Sequence, residues 1–283
     1  MKSRTLMLAG IAAGLTSSAH AAVLLSENFD GGGVNSVFAY TNSSGGAPST
    51  QNVGGGNANV ARITNLNGSN NNSIAWNTVT VSPTPILRLS FDFFMTDDAA
   101  NGGAGGCCGE AADGIGIGFF PNAVYGSTGA VNPAVGPSVF AWEAASAPSS
   151  LALGLDVFDG GGPNGNNARI SWNNANIGDA VVGFPLNNNS WHKAVMTLTD
   201  SGSNSLVDLT IDGTPIFTGL NAMGVDLDGI GSNFRLIAGG RTGGAFAQGE
   251  IDNIVVEAIP EPSISVLMAL VGVFGFASRR RKV

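Results

Sequence analysis

The chain has 283 residues, 43% of them hydrophobic, with 42 glycines and only 11% charged side chains. Acids outnumber bases 20 to 12, giving a net charge of −8 at pH 7, an excess that should repel nucleic acid, which needs basic patches. The two cysteines, Cys107 and Cys108, are adjacent; a bridge between neighbours is strained and closes almost no loop, which excludes a disulfide framework.

Residues 1–21 have the parts of a secretory signal peptide. Lys2 and Arg4 form a positive n-region, Leu6 to Leu15 an apolar stretch, and Ala19-His20-Ala21 a small-x-small cleavage site. The apolar run is shorter than the roughly 20 residues of a membrane span, so signal peptidase is the expected first processing partner. Residues 22–259 then form one domain holding 19 acids against 6 bases, a net of −13.

Within that domain the apolar residues alternate with period two, the signature of strands with one face inward. Leu87, Leu89, Phe91, Phe93 and Met95 point one way. Ile115, Ile117 and Phe119 alternate with glycines, and Leu151, Leu153, Leu155 and Val157 with Ala152, Gly154 and Asp156. Val207, Leu209 and Ile211 form another face, and Asp212-Gly213 offers a tight hairpin turn into Pro215 and Ile216. Phe234 to Ala238 and Ile251 to Val256 predict a late strand pair. Residues 31–57 and 98–109 read as Gly/Ser/Asn loops, with Cys107 and Cys108 in the second, and residues 121–150 as a long inter-strand excursion. Many short strands joined by Gly, Asn and Pro predict an all-β sandwich or jelly roll.

Three segments, in order, resemble the L-type (legume) lectins, which have a concanavalin A-like jelly roll. Ala112-Asp113-Gly114, leading into Ile115 to Phe120, is similar to the strand that opens that family's sugar site. An ionised Asp113 would accept hydrogen bonds from two sugar hydroxyls, and charge-assisted bonds are the stronger kind. Leu151 to Ile170 is similar to the metal-loop strand. The resemblance implies Asp156 as a carboxylate ligand and Phe158 as a carbonyl ligand of Ca²⁺, with Asp159, Asn164 or Asn166 completing six to eight oxygens. Two departures stand out: the acidic transition-metal ligand two residues before Asp156 is Gly154, and the family's Asn four residues after it is Gly160. The third segment, Leu236 to Gly244, resembles the late Thr-Gly loop. It implies that Gly240, Arg241 and Thr242 face the sugar, with Glu250 to Val256 as the closing strand.

Catalysis is not expected. Glucanases on the same fold carry Glu-x-Asp-x-x-Glu on one strand, and the nearest stretch, Gly154 to Asp159, lacks both glutamates. Asp156 and Asp159 are three apart, so a regular strand would aim them at opposite faces. His192 has no Gly-x-Ser-x-Gly elbow beside it. Trp191 is expected in the core, as are Trp76, Trp142 and Trp172. The functional expectation is a carbohydrate-binding, lectin-like protein whose partner is a polysaccharide; the alternative is a structural matrix protein that binds no sugar.

The C-terminus is tripartite: Pro260-Glu261-Pro262, an uncharged apolar stretch from Ile264 to Ala277, and Arg279-Arg280-Arg281-Lys282. It resembles the PEP-CTERM sorting signal of exopolysaccharide-producing Gram-negative bacteria, which implies processing by an exosortase. The apolar stretch predicts a short transmembrane helix with its basic end in the cytoplasm. The protein would then pass through an inner-membrane intermediate to the cell surface or extracellular matrix. Almost no linker separates the closing strand from this tail, so the tethered domain is expected to sit against the bilayer and to need cleavage before reaching an extended glycan.

Overall fold

The computed structural model describes residues 21–31, 37–41, 46–53, 59–80, 86–96, 111, 113–131, 142–145, 147–158, 165–223 and 233–260. Cys107, Cys108, Asp159, Asn164, the signal peptide up to residue 20 and the tail beyond Pro260 lie outside them.

The first half of the chain supplies β1 (Ala22–Glu27), β2 (Phe38–Thr41), β3 (Ser49–Asn52), β4 (Asn59–Thr64), β5 (Asn71–Ala75), β6 (Val79–Thr80), β7 (Ile86–Met95) and β8 (Gly114–Pro121). A one-turn helix, α1 (Asn122–Tyr125), follows. The second half supplies β9 (Leu151–Asp156), β10 (Asn167–Trp172), β11 (Ala175–Val181), β12 (Trp191–Asp200), β13 (Asn204–Ile211), β14 (Thr214–Met223), β15 (Asn233–Arg241) and β16 (Gly249–Ile259). They form two antiparallel sheets. The first runs β14-β13-β12-β7-β16-β4-β3 with β1 also on β16; the second runs β11-β10-β9-β8-β15-β5-β2 with β6 on β15.

Alternation builds the first sheet. On β7, Leu87, Leu89, Phe91, Phe93 and Met95 are buried while the residues between them are only half-buried, and β13 repeats the pattern. The β13–β14 hairpin turns at Asp212 and Gly213, both at positive φ (51° and 74°), the geometry of a two-residue turn that matches strand twist. His192, the inward neighbour of Trp191, sits between the rings of Phe93 and Phe184, with Nδ1 2.6 Å from Asp212 Oδ2.

The second sheet differs in kind. β8, β9 and β15 are buried on nearly every residue, because their outer face is covered as well. Trp142 and Ala147 pack there with Phe120, Tyr125, Val131 and Ile237. The covering backbone comes so close that only small residues fit beneath it. A Cβ on Gly239 would lie 1.9 Å from the Trp142 ring, and one on Gly154 would lie 2.1 Å from the Glu143 carbonyl oxygen. Gly116, Gly154 and Gly239 thus face this second layer, whereas Gly240 faces Ile63 and Thr64 of the opposite sheet.

Three expectations change. The late strands do not pair with each other: β15 joins β8 and β5 in one sheet, while β16 joins β7, β4 and β1 in the other. The loop between them crosses the sandwich. Strands β2 and β3 lie inside the segment read as loop. They are edge strands, held by backbone pairing to β5 and β4, so they need no apolar alternation. Trp191 is half-buried on the outward face, tilted against Phe94 at 5.5 Å, because strand alternation gives the inward position to His192. Trp76 and Trp142 are buried, and Trp172 packs partly against the main core.

Candidate functional site

The ends of β9 and β15 and the start of β8 meet at one pole of the sandwich. Gly114 pairs with Asp156 on one side and Arg241 on the other. Asp113 is fixed there by its backbone: its N–H donates to Arg241 O at 3.0 Å, and its carbonyl accepts from Val157 N at 3.0 Å. The following residue must be glycine. Gly114 has φ +152°, and a Cβ on it would lie 2.0 Å from Leu155 O.

Arg241 closes the site. Its Nε lies 2.9 Å from Asp113 Oδ2 and its Nη2 lies 2.5 Å from Glu143 Oε1. The guanidinium side chain is 40% exposed, whereas the carboxylate side chains of Asp113 and Glu143 are 11% and 8% exposed. One cation therefore bridges two nearly buried acids. Burial dominates the electrostatics. It pushes Glu143 up to about 7 from 4.5 against the pull of Arg241, with Asp113 and Asp156 adding repulsion. Burial likewise raises Asp113, opposed by Arg241, and raises Asp156, opposed by the Phe158 N–H and Arg169. Glu143 Oε2 is buried and takes no hydrogen bond among the described residues.

Thr242 is buried and committed. Its hydroxyl donates to Asn67 O at 2.7 Å and accepts from Asn70 N at 2.9 Å, stitching the β4–β5 loop to the end of β15. Gly240 lies within the sheet, paired with Ile115 and Asn72. The loop residue that does approach Asp113 is Gly243, whose Cβ position would be 3.6 Å from both carboxylate oxygens. Of the expected sugar-facing residues, then, the nearly buried Asp113 and the half-exposed Arg241 come together, while Gly240 and Thr242 hold the framework.

Glu143 was absent from the expectations. It is the sole charged residue between 121 and 150, and that solitary charge in an apolar stretch is the signal that could have found it. Its placement follows from Trp142, which is anchored on Gly239.

The resemblance implies calcium. Among the described residues, no group of three or more His, Cys, Asp or Glu side chains is placed to hold a metal ion. Asp156 Oδ1 accepts from Phe158 N at 3.0 Å. Asn166, whose carbonyl oxygen a cation would need, accepts there from Leu186 N at 2.7 Å and donates from its amide to Val182 O and Phe184 O. At Gly154 the Glu143 carbonyl fills the space that an acidic ligand would take. Asp159 and Asn164 lie outside the described residues, and the described candidates Asp156 and Asn166 do not by themselves make up a calcium site.

Residues 258–282 match the PEP-CTERM protein-sorting motif. No curated protein matches the sequence at a significant level. Among solved structures, the chain is similar to peanut lectin with a nine-residue peptide (16% identity, TM-score 0.55, 84% of this chain and 97% of that one). It is also similar to the Lotus tetragonolobus seed lectin (11%, 0.55, 85% and 100%) and to lectin UEA-II complexed with galactose (13%, 0.52, 78% and 92%). At these identities the likeness is one of fold. The chain thus carries a PEP-CTERM sorting motif directly behind an all-β sandwich shaped like the legume-type lectins.

Proposed function

We propose that this is an exported, surface-sorted, non-catalytic carbohydrate-binding protein, with its site at the pole where Asp113 meets Arg241. The observation that supports this best is that pairing: an acceptor-rich carboxylate and a half-exposed guanidinium share one rim with Gly243. Asp113 would accept from vicinal sugar hydroxyls, and the outward N–H groups of Arg241 would donate to ring or hydroxyl oxygens. Gly243, with no side chain, lets the sugar approach closely. Glu143 stays beneath and holds the guanidinium in place. Exosortase and signal peptidase are the processing partners this reading implies, and no step depends on calcium.

The charge balance selects the ligand. All six bases of residues 22–259 are in use: Arg62, Arg88, Arg169, Lys193 and Arg241 pair with carboxylates, and Arg235 is buried among backbone carbonyls. With 19 acids in the same span, a polyanionic glycan meets repulsion. The reading is therefore a neutral or amino-sugar polysaccharide. A glycan array with wild type and Asp113→Ala tests it. Neutral hits lost in the variant support the reading. No binding by a folded protein sinks it and leaves the structural matrix role.

One observation favours a second reading. A carboxyl pushed up to about 7 beside a second carboxyl is the kind of pairing a glycoside hydrolase uses. Against it, Glu143 Oε1 is tied to Arg241 and Oε2 is wholly buried, so a glycosidic oxygen has no carboxyl oxygen of Glu143 to reach. Reducing-sugar release from β-glucans would revive the hydrolase.

A further inference from the structure

The closing strand fixes how the domain stands on its tether. At its start, Gly249 pairs with Thr64 and Met95, and a Cβ there would lie 2.7 Å from Ile115 Cγ2. That is the pole of Asp113 and Arg241. At its end, Ile259 pairs with Ile86 and Ala258 with Leu87. Ten residue steps at about 3.3 Å each, shortened slightly by two bulges, put Ile259 roughly 30 Å from Gly249 at the site pole. The N-terminus leaves from the same far end, since Ala22 pairs with Ala258. Strand β15 agrees: Arg241 is at the site pole, while Asn233 pairs with Thr80 at the other. Both segments read as membrane-directed therefore leave from the pole opposite the candidate site.

From this the geometry points to a membrane-distal binding surface that is open while the sorting tail is still uncut. The tethered precursor takes up a soluble or matrix polysaccharide, and the sugar headgroups of its own membrane are out of reach. The inference rests on the proposed sugar site for its ligand, and for its orientation on the strand geometry together with the expected insertion of the apolar tail. Two features keep the domain upright. Only Pro260-Glu261-Pro262-Ser263 separate β16 from the apolar stretch that begins at Ile264. The net charge of −13 over residues 22–259 repels an anionic phospholipid surface. The short linker, which at first suggested that the domain must be released before binding, places only the far pole against the bilayer.

The test separates orientation from sugar binding. The exported precursor, with Cys107→Ser and Cys108→Ser, carries a single dye at Asn67→Cys on the site pole or at Val23→Cys on the tail pole; both positions are exposed. It is reconstituted into anionic vesicles containing nitroxide-headgroup lipid and recovered by flotation. The expected result is at least threefold stronger quenching at position 23 than at position 67. Equal or reversed quenching overturns the inference, and so does a precursor that fails to float. In a second arm, beads coated with a neutral glycan positive on the array should capture the vesicles as well as they capture the tail-less protein. Capture of the tail-less protein alone overturns it. A blank array defeats the sugar reading and leaves the quenching result to decide the orientation.

Discussion

Arg241 Nη2 and Glu143 Oε1 lie 2.5 Å apart although 98 residues separate them in sequence. The contact joins the end of a core strand to a segment lying across the outer face of the same sheet, and it carries the rim of the candidate site. Three carboxylates and one guanidinium leave that pole in electrostatic debt, which makes it sensitive to pH and to small changes beneath it.

Glu143 sets a pH dependence of stability. Its folded pKa is raised to about 7 from 4.5, so the folded state holds this proton more tightly than the unfolded chain does. The resulting stabilisation is complete below pH 4.5 and is lost as pH rises through about 7. Its ceiling is about 3 kcal/mol. Asp113 and Asp156, also raised, act with the same sign. Thermal melts should therefore show Tm falling between pH 5 and 7, and Glu143→Gln should flatten that slope. A Tm that rises over this range in the wild type would contradict it.

Arg241 acts as the resident counter-ion. EDTA or millimolar Ca²⁺ should leave the Tm within about 1 °C of its starting value, since a ligand stabilises only by binding the folded state. Arg241→Met should lower the Tm and abolish glycan capture, because it strands two buried acids; such losses run to about 3–5 kcal/mol. A shift of several degrees on chelation would restore calcium to the site.

Gly239→Ala should disturb the site from a distance. The new Cβ would fall 1.9 Å from the Trp142 ring, and overpacking of this kind costs about 1–3 kcal/mol. Displacing Trp142 moves Glu143 with it, so glycan affinity should fall too. Trp142→Ala in the same chain relieves the clash, and the two substitutions should be strongly non-additive in a double-mutant cycle of melting data. Additive losses would mean that the two residues do not touch in solution.

Arg235 is a structural cation. Fully buried on β15, it donates to the carbonyls of Trp76 at 2.7 Å, Tyr125 at 3.2 Å and Gly129. Arg235→Leu leaves those carbonyls without donors, at about 1–3 kcal/mol for each buried group. A domain of this size loses about 2–4 °C per kcal/mol. Calorimetry should find a Tm lower by more than 5 °C, and an unchanged Tm would mean that water replaces the side chain.

Local chemistry was legible in the sequence wherever a residue's neighbours decide its role. Alternation marked the inward face of β7 and β13, Asp212-Gly213 marked a hairpin, and Pro260-Glu261-Pro262 ahead of an apolar and basic tail marked the sorting motif. Asp113-Gly114 drew attention only through its resemblance to the Ala-Asp-Gly strand of the legume-type lectins; that Gly114 has to be glycine there is decided by its φ of +152° and the approach of Leu155 O. Contacts distant in sequence were settled only by the fold. Periodicity says which face of a strand turns inward and nothing about which strand lies beside it, so β15 and β16 looked like partners when they belong to opposite sheets. A polar edge strand such as β3 has no alternation to betray it. Burial of both faces of β8, β9 and β15 depends on the cover laid over them by Trp142, Glu143 and Ala147, whose path no strand periodicity announces. The meeting of Glu143 with Arg241, and the placing of that pair at the pole opposite Pro260, follow from sheet order and strand direction, which arise only when the two sheets close on one core.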